Sequence, residues 1–86
     1  MLDGLTLDQM RVFMAVADSG SFRAAALQLN RAQSAVSHAI ANLEAQLGLK
    51  LFVREGLHRP VLTDHGRVLR ADVCAVLRRV DALKAK

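Results

Sequence analysis

SFRAAALQLNRAQSAVSHAIANLEAQLG, residues 21–48, holds two helical patterns on either side of a three-residue break. In the first, Phe22, Ala25, Ala26 and Leu29 recur at helical spacing behind Ser21, a good N-cap. The small alanines allow another helix to approach closely. Asn30 suits a left-handed terminal residue, so Asn30-Arg31-Ala32 reads as the turn. In the second pattern, Gln33 to Leu47, one face carries Val36, Ala39, Ile40, Leu43 and Leu47, and Gly48 supplies the stop. At roughly 100° per residue, Ser34, Ser37, His38 and Ala41 point the other way. Two helices joined by so short a turn form a helix-turn-helix. The outward face of the second helix is polar but almost uncharged, in a chain of net charge +4.

Upstream, Thr6 and Gln9 form a capping box for a helix whose buried face is expected at Leu7, Met10, Phe13, Met14 and Ala17. Ser19-Gly20 ends it. Downstream, Leu49, Leu51 and Val53 alternate as in a short strand, and Val61 pairs from a second one. Glu55 to Arg59 form the tip of this hairpin, and Pro60 belongs at an edge or strand start. Thr63 then caps a last helix in which Leu69, Val73, Val76, Val80 and Leu83 follow a 4, 3, 4, 3 spacing. That is an a/d stripe of two heptads, more apolar surface than a small domain covers, and it calls for a partner helix. The terminal DALKAK lacks a C-cap signal, as expected of a boundary inside a longer helix.

Length and composition narrow the classes. Eighty-six residues make one small domain with a modest core. Half the residues are apolar, only three are aromatic, and no low-complexity segment or repeat is present, which points to a helical globular fold. The positive balance fits a polyanionic partner or plain solubility. A lone cysteine, Cys74, fits a reducing compartment and a packing role. No signal peptide and no membrane-length apolar run is evident, so a cytoplasmic location is expected. The three histidines stand far apart without ligand spacing, so no metal site is expected. Ser37-His38 is no catalytic pair, because neighbours on a helix do not face each other, and no enzyme activity or cofactor is expected of this segment.

The expected fold is therefore mainly α: a winged helix-turn-helix of three helices plus a small β-hairpin wing over residues 1–62. A long linker or dimerisation helix follows over residues 63–86. Such a fold places its third helix in the major groove, where base edges carry a sequence-specific pattern, and its wing along the backbone or minor groove. Gln33 can pair bidentately with adenine, Ser34 and Ser37 can donate or accept, and His38 can donate to guanine or phosphate. Ser21, at a helix N-terminus, and Arg23 and Arg31, flanking the motif, are placed to meet phosphates, with Lys50 and the wing tip His58-Arg59 adding positive charge beside the duplex. A solvated polar face, or a winged helix that binds protein or RNA, is the alternative reading. The latter predicts exposed apolar or aromatic groups on the third helix.

Six short signatures occur in order: F-x-A-V-A-x-S-G-S-F (Phe13 to Phe22), A-A-x-x-L (Ala25 to Leu29), Q-S-A-V-S (Gln33 to Ser37), I-x-x-L-E-x-x-L-G (Ile40 to Gly48), L-F-x-R (Leu51 to Arg54) and L-T-x-x-G (Leu62 to Gly66). In this combination the chain resembles the DNA-binding domain of LysR-type transcriptional regulators. The resemblance implies a bacterial transcription factor acting on double-stranded promoter DNA near the nucleoid. It implies homodimers paired through antiparallel long helices, with Leu69, Val73, Val76, Val80 and Leu83 at the interface, and tetramers in the full protein. It further implies interrupted inverted repeats with a T…A core, and a small-molecule effector bound by a C-terminal domain outside this segment. A phosphate role for Arg54 rests on the resemblance alone. The sequence departs from the family pattern at Ala32, where Ser or Thr is frequent, and at His38, where Arg is frequent. Ser34 stands where proline is common, which the first helical turn tolerates.

Overall fold

The computed structural model describes residues 4–55 and 59–86, the side chains of Arg54 and Glu55 excepted. Helices α1 (Leu7–Ser19), α2 (Phe22–Leu29) and α3 (Gln33–Leu47) lead into strands β1 (Phe52–Glu55) and β2 (Arg59–Leu62), and α4 (Asp64–Lys84) follows. The strands form one antiparallel ladder that pairs Phe52 with Leu62, Val53 with Val61, Arg54 with Pro60 and Glu55 with Arg59. Mainly helical architecture with a small hairpin wing is thus observed. Glu55 and Arg59 lie in paired strands, and the tip proper, residues 56–58, is outside the described residues.

Local chemistry explains the boundaries. Thr6 and Gln9 exchange both hydrogen bonds of a capping box, each 3.0 Å. Ser21 Oγ accepts from the Ala24 amide at 3.0 Å, and Thr63 Oγ1 from the Gly66 amide at 3.0 Å. Gly20, Asn30 and Gly48 close α1, α2 and α3 in the left-handed region, with φ of 72°, 56° and 68°. Ala32 begins α3 with no side-chain cap, as its methyl group requires.

The core joins Val12, Phe13, Ala15 and Val16 of α1, Ala25 and Ala26 of α2, Val36, Ile40 and Leu43 of α3, Leu51 and Phe52, and Val73 of α4. The expected stripe of α1 needs correction. Leu7 is exposed, while Val12, Ala15 and Val16 are buried. The reason is that α1 packs on α2, α3 and α4 at once and so buries more than one face. The expected strand alternation also fails. Leu51 and Phe52 are consecutive and both buried, whereas Leu49 and Val53 are exposed. Pairing begins only at Phe52, whose ring packs on Phe13 and Phe22 at centroid distances of 5.5 and 6.1 Å.

The last helix lies antiparallel to α1, because Asp18 near one end pairs with Arg70 and Arg11 near the other pairs with Asp81. Its apolar stripe divides. Val73 is in the core, which moves it from the expected partner interface to intradomain packing, and Leu69 and Leu77 are half-buried against it. Beyond them Val76 and Leu83 are exposed and Val80 is half-buried.

Candidate nucleic-acid interface

The first two turns of α3 carry the candidate reading residues. Val36 and Ile40 are buried and anchor the helix, and Leu43 continues the seam one turn on. Rotation by 100° per residue then leaves Gln33, Ser34 and His38 exposed, with Ser37 half-buried at the edge of the seam. Ala41, Asn42 and Ala45 extend the exposed face. Among the described residues no large apolar side chain is exposed on α3. The face is a set of short donors and acceptors with no fixed charge.

A shallow groove runs between this helix and the wing. It is lined by Ser37, Ile40, Ala41 and Glu44 of α3, by Lys50, Phe52 and Val53, and by Phe22 of α2. Short side chains at 37 and 41 keep it open. Val53 and Val61, cross-strand partners, are both exposed on the wing.

The expected phosphate contacts fall into four groups. Arg23 on α2 and Arg59 at the start of β2 are exposed. Arg31 and Lys50 are exposed but already oriented. Arg31 donates from both terminal nitrogens to the Asp8 carboxylate, at 2.8 and 2.5 Å, and Lys50 Nζ lies 3.9 Å from Glu44 Oε1. The Arg31 hydrogen bonds hold the Asp8 carboxyl below its ordinary range, and Asp8 in turn raises the guanidinium. Ser21 is half-buried, with its hydroxyl oxygen engaged by the α2 cap and its amide 3.4 Å from Ser19 Oγ. Its contribution there is to hold the helix end. His58 and the Arg54 side chain lie outside the described residues.

Three residues not singled out for a role by sequence reasoning organise this surface. Glu44 Oε2 accepts from the Leu51 and Phe52 amides at 2.7 and 3.3 Å, tying α3 to the wing. Asp8 aims Arg31. Gly66 lets α4 reach the backbone at Leu51, where a Cβ would stand 2.3 Å from the carbonyl oxygen. Gly66 closes the L-T-x-x-G signature, and a glycine three residues after a helix cap, where alanine would be favoured, marks it further. Nothing in the spacing betrays Glu44 or Asp8, because their partners lie in other elements.

The described residues contain no helix long and apolar enough to cross a membrane. Residues 7–67 match the model of the bacterial regulatory helix-turn-helix proteins of the lysR family. The chain is 38% identical over 80 residues to the HTH-type transcriptional regulator YvbU of Bacillus subtilis, covering 93% of this chain and 27% of that protein. It is 45% identical over 75 residues to YeiE of Escherichia coli, another HTH-type transcriptional regulator, covering 87% and 25%. The chain thus spans about a quarter of the length of these curated relatives. Among solved structures it is similar to the BenM DBD in its complex with catB site 1 DNA, with a TM-score of 0.89 and 33% identity, over 94% of this chain and 90% of that one. The winged helix-turn-helix, its six signatures in order and these matches together establish that the chain belongs to the lysR family of bacterial regulatory helix-turn-helix proteins.

Proposed function

We propose that this chain is the DNA-binding part of a bacterial transcription regulator and that it reads double-stranded DNA with the N-terminal half of α3 in the major groove. The observation that carries the reading is the exposed polar face of Gln33, Ser34 and His38, set on a helix whose opposite side is locked into the core by Val36, Ile40 and Leu43. Base edges in the major groove are read by such groups, and Gln33 suits adenine. The wing, with Arg59, lies along the flanking backbone, and Arg23, Arg31 and Lys50 supply phosphate contacts. The similarity to a domain solved with DNA supports the same arrangement. The absence of large exposed apolar groups on α3, among the described residues, favours a groove over a protein partner.

Two copies pair through the distal half of α4, where Val76, Val80 and Leu83 continue the apolar stripe past the intradomain seam. The pair reads an interrupted inverted repeat in promoter DNA. Residues 63–86 thus serve two ends, the proximal half completing the core and the distal half pairing. Effector binding, tetramer formation and the choice of activation or repression belong to the rest of the regulator, which works in the bacterial cytoplasm at the nucleoid. The role is recognition, without catalysis.

The test is a gel shift on duplexes carrying inverted repeats selected from a random pool, at two salt concentrations. Selective binding that weakens steeply with salt is expected. Binding with neither sequence preference nor salt dependence would sink the proposal.

A further inference from the structure

The carboxylate of Glu44 stands on the same side of α3 as Ser37 and Ala41, in the groove toward the wing. A negative charge facing a duplex is unfavourable, so its presence there needs a reason within the protein. Both oxygens have one. Oε2 accepts from two consecutive backbone amides, Leu51 and Phe52, where the chain leaves the α3 turn and enters β1. Oε1 faces the Lys50 ammonium at 3.9 Å. The Glu44 side chain is only 15% exposed, whereas that of Lys50 is 79% exposed.

The wing is held elsewhere by other elements. The Thr63 amide donates to Leu51 O at 3.0 Å, and Thr63 Oγ1 donates to Lys50 O at 2.6 Å, so that side of β1 is fastened to the start of α4. Besides its pairing with β1, β2 packs on α1 and α4. These contacts fix the wing to the body of the domain. Toward α3, Leu51 and Phe52 share the core with Ile40 and Leu43, and Glu44 adds charge-assisted bonds to their two amides, which are directional enough to set the register.

We propose that Glu44 is a positioning residue for recognition: from α3 it sets the distance between the reading helix and the wing, and it holds Lys50 at the mouth of the groove. The proposal rests on the DNA reading given above. It assigns Glu44 no contact with bases or phosphates.

Amide hydrogen exchange and hydroxyl-radical footprinting test it on the intact chain. In Glu44→Ala, the Leu51 and Phe52 amides are expected to exchange faster while those of Val36 and Ile40 keep their protection. On a selected duplex this variant is expected to lose protection at the flanking backbone and about tenfold in affinity, the scale of a lost charge-assisted hydrogen bond. Discrimination at the base pair read by Gln33 is retained. Glu44→Gln, which keeps an acceptor at the same reach, is expected within about threefold of the parent chain. Glu44→Asp, one methylene short, should resemble Glu44→Ala. Unchanged exchange and flanking protection in Glu44→Ala would overturn the proposal, as would a proportionate loss of base discrimination and flanking contact. Should Glu44→Ala not fold, the Gln and Asp variants decide, and an Asp variant equal to the parent chain overturns it. A parent chain that binds no duplex at all refutes the DNA reading instead, and the exchange rates still judge whether Glu44 holds the wing.

Discussion

Gly66 and Leu51 meet backbone to backbone: a Cβ at position 66 would lie 2.3 Å from the Leu51 carbonyl oxygen and 2.9 Å from a methyl carbon of Leu62. The same carbonyl accepts the Thr63 amide, so it cannot retreat without breaking that bond. The first turn of α4 is therefore seated directly on the entry to the wing.

Gly66→Ala should destabilise the domain by about 2–3 kcal/mol, because the added methyl group meets backbone rather than a flexible side chain. Urea unfolding followed by circular dichroism reads the loss. A midpoint equal to that of the parent chain would mean that α4 shifts freely on the wing.

Gln33→Ala should reduce affinity for the best site by roughly 1–3 kcal/mol and relax preference at one base pair. Competition binding with single-substitution duplexes measures both. An equal loss on every duplex would make Gln33 a backbone contact.

The Asp8–Arg31 pair predicts a pH effect of definite sign. Its hydrogen bonds lower the folded carboxyl below the ordinary value of 3.8. The pair therefore adds stability at pH values above that of the unfolded carboxyl, and the contribution disappears as pH falls through the folded value. Both groups are largely in solvent, so the effect is small. Thermal unfolding between pH 6 and pH 2.5 should show a shallower acid dependence in Asp8→Asn than in the parent chain. Arg31→Ala, which removes the guanidinium that Asp8 aims, should lessen the salt slope of DNA binding by about one unit. An unaltered slope would remove Arg31 from the phosphate contacts.

The divided stripe of α4 makes its valines behave differently. Val73→Asp buries a carboxylate in the core, at a cost of about 3 kcal/mol or more, and should unfold a domain this small. The double change Val76→Asp and Val80→Asp leaves the core intact and should yield folded monomers by analytical ultracentrifugation. A dimer that survives it would place the interface elsewhere.

The sequence by itself determined the helices, their ends and the exposed polar face of α3. Capping residues, left-handed glycines and a 3.6-residue apolar period act within a few residues of one another, so Thr6, Gly20, Ser21, Asn30, Gly48 and Thr63 were legible before any packing was known. The same holds for Gln33, Ser34 and His38, whose exposure follows from the burial of Val36 and Ile40 on the same helix. Only the tertiary structure decided the rest. The wide burial of α1, the inward turn of Leu51 and Phe52 together, the capture of Val73 by the core, and the ties Glu44–Leu51 and Asp8–Arg31 all depend on elements distant in the chain. A local period cannot say how many neighbours a helix will have, nor which distant amide a carboxylate will find, because both are settled by how the elements pack.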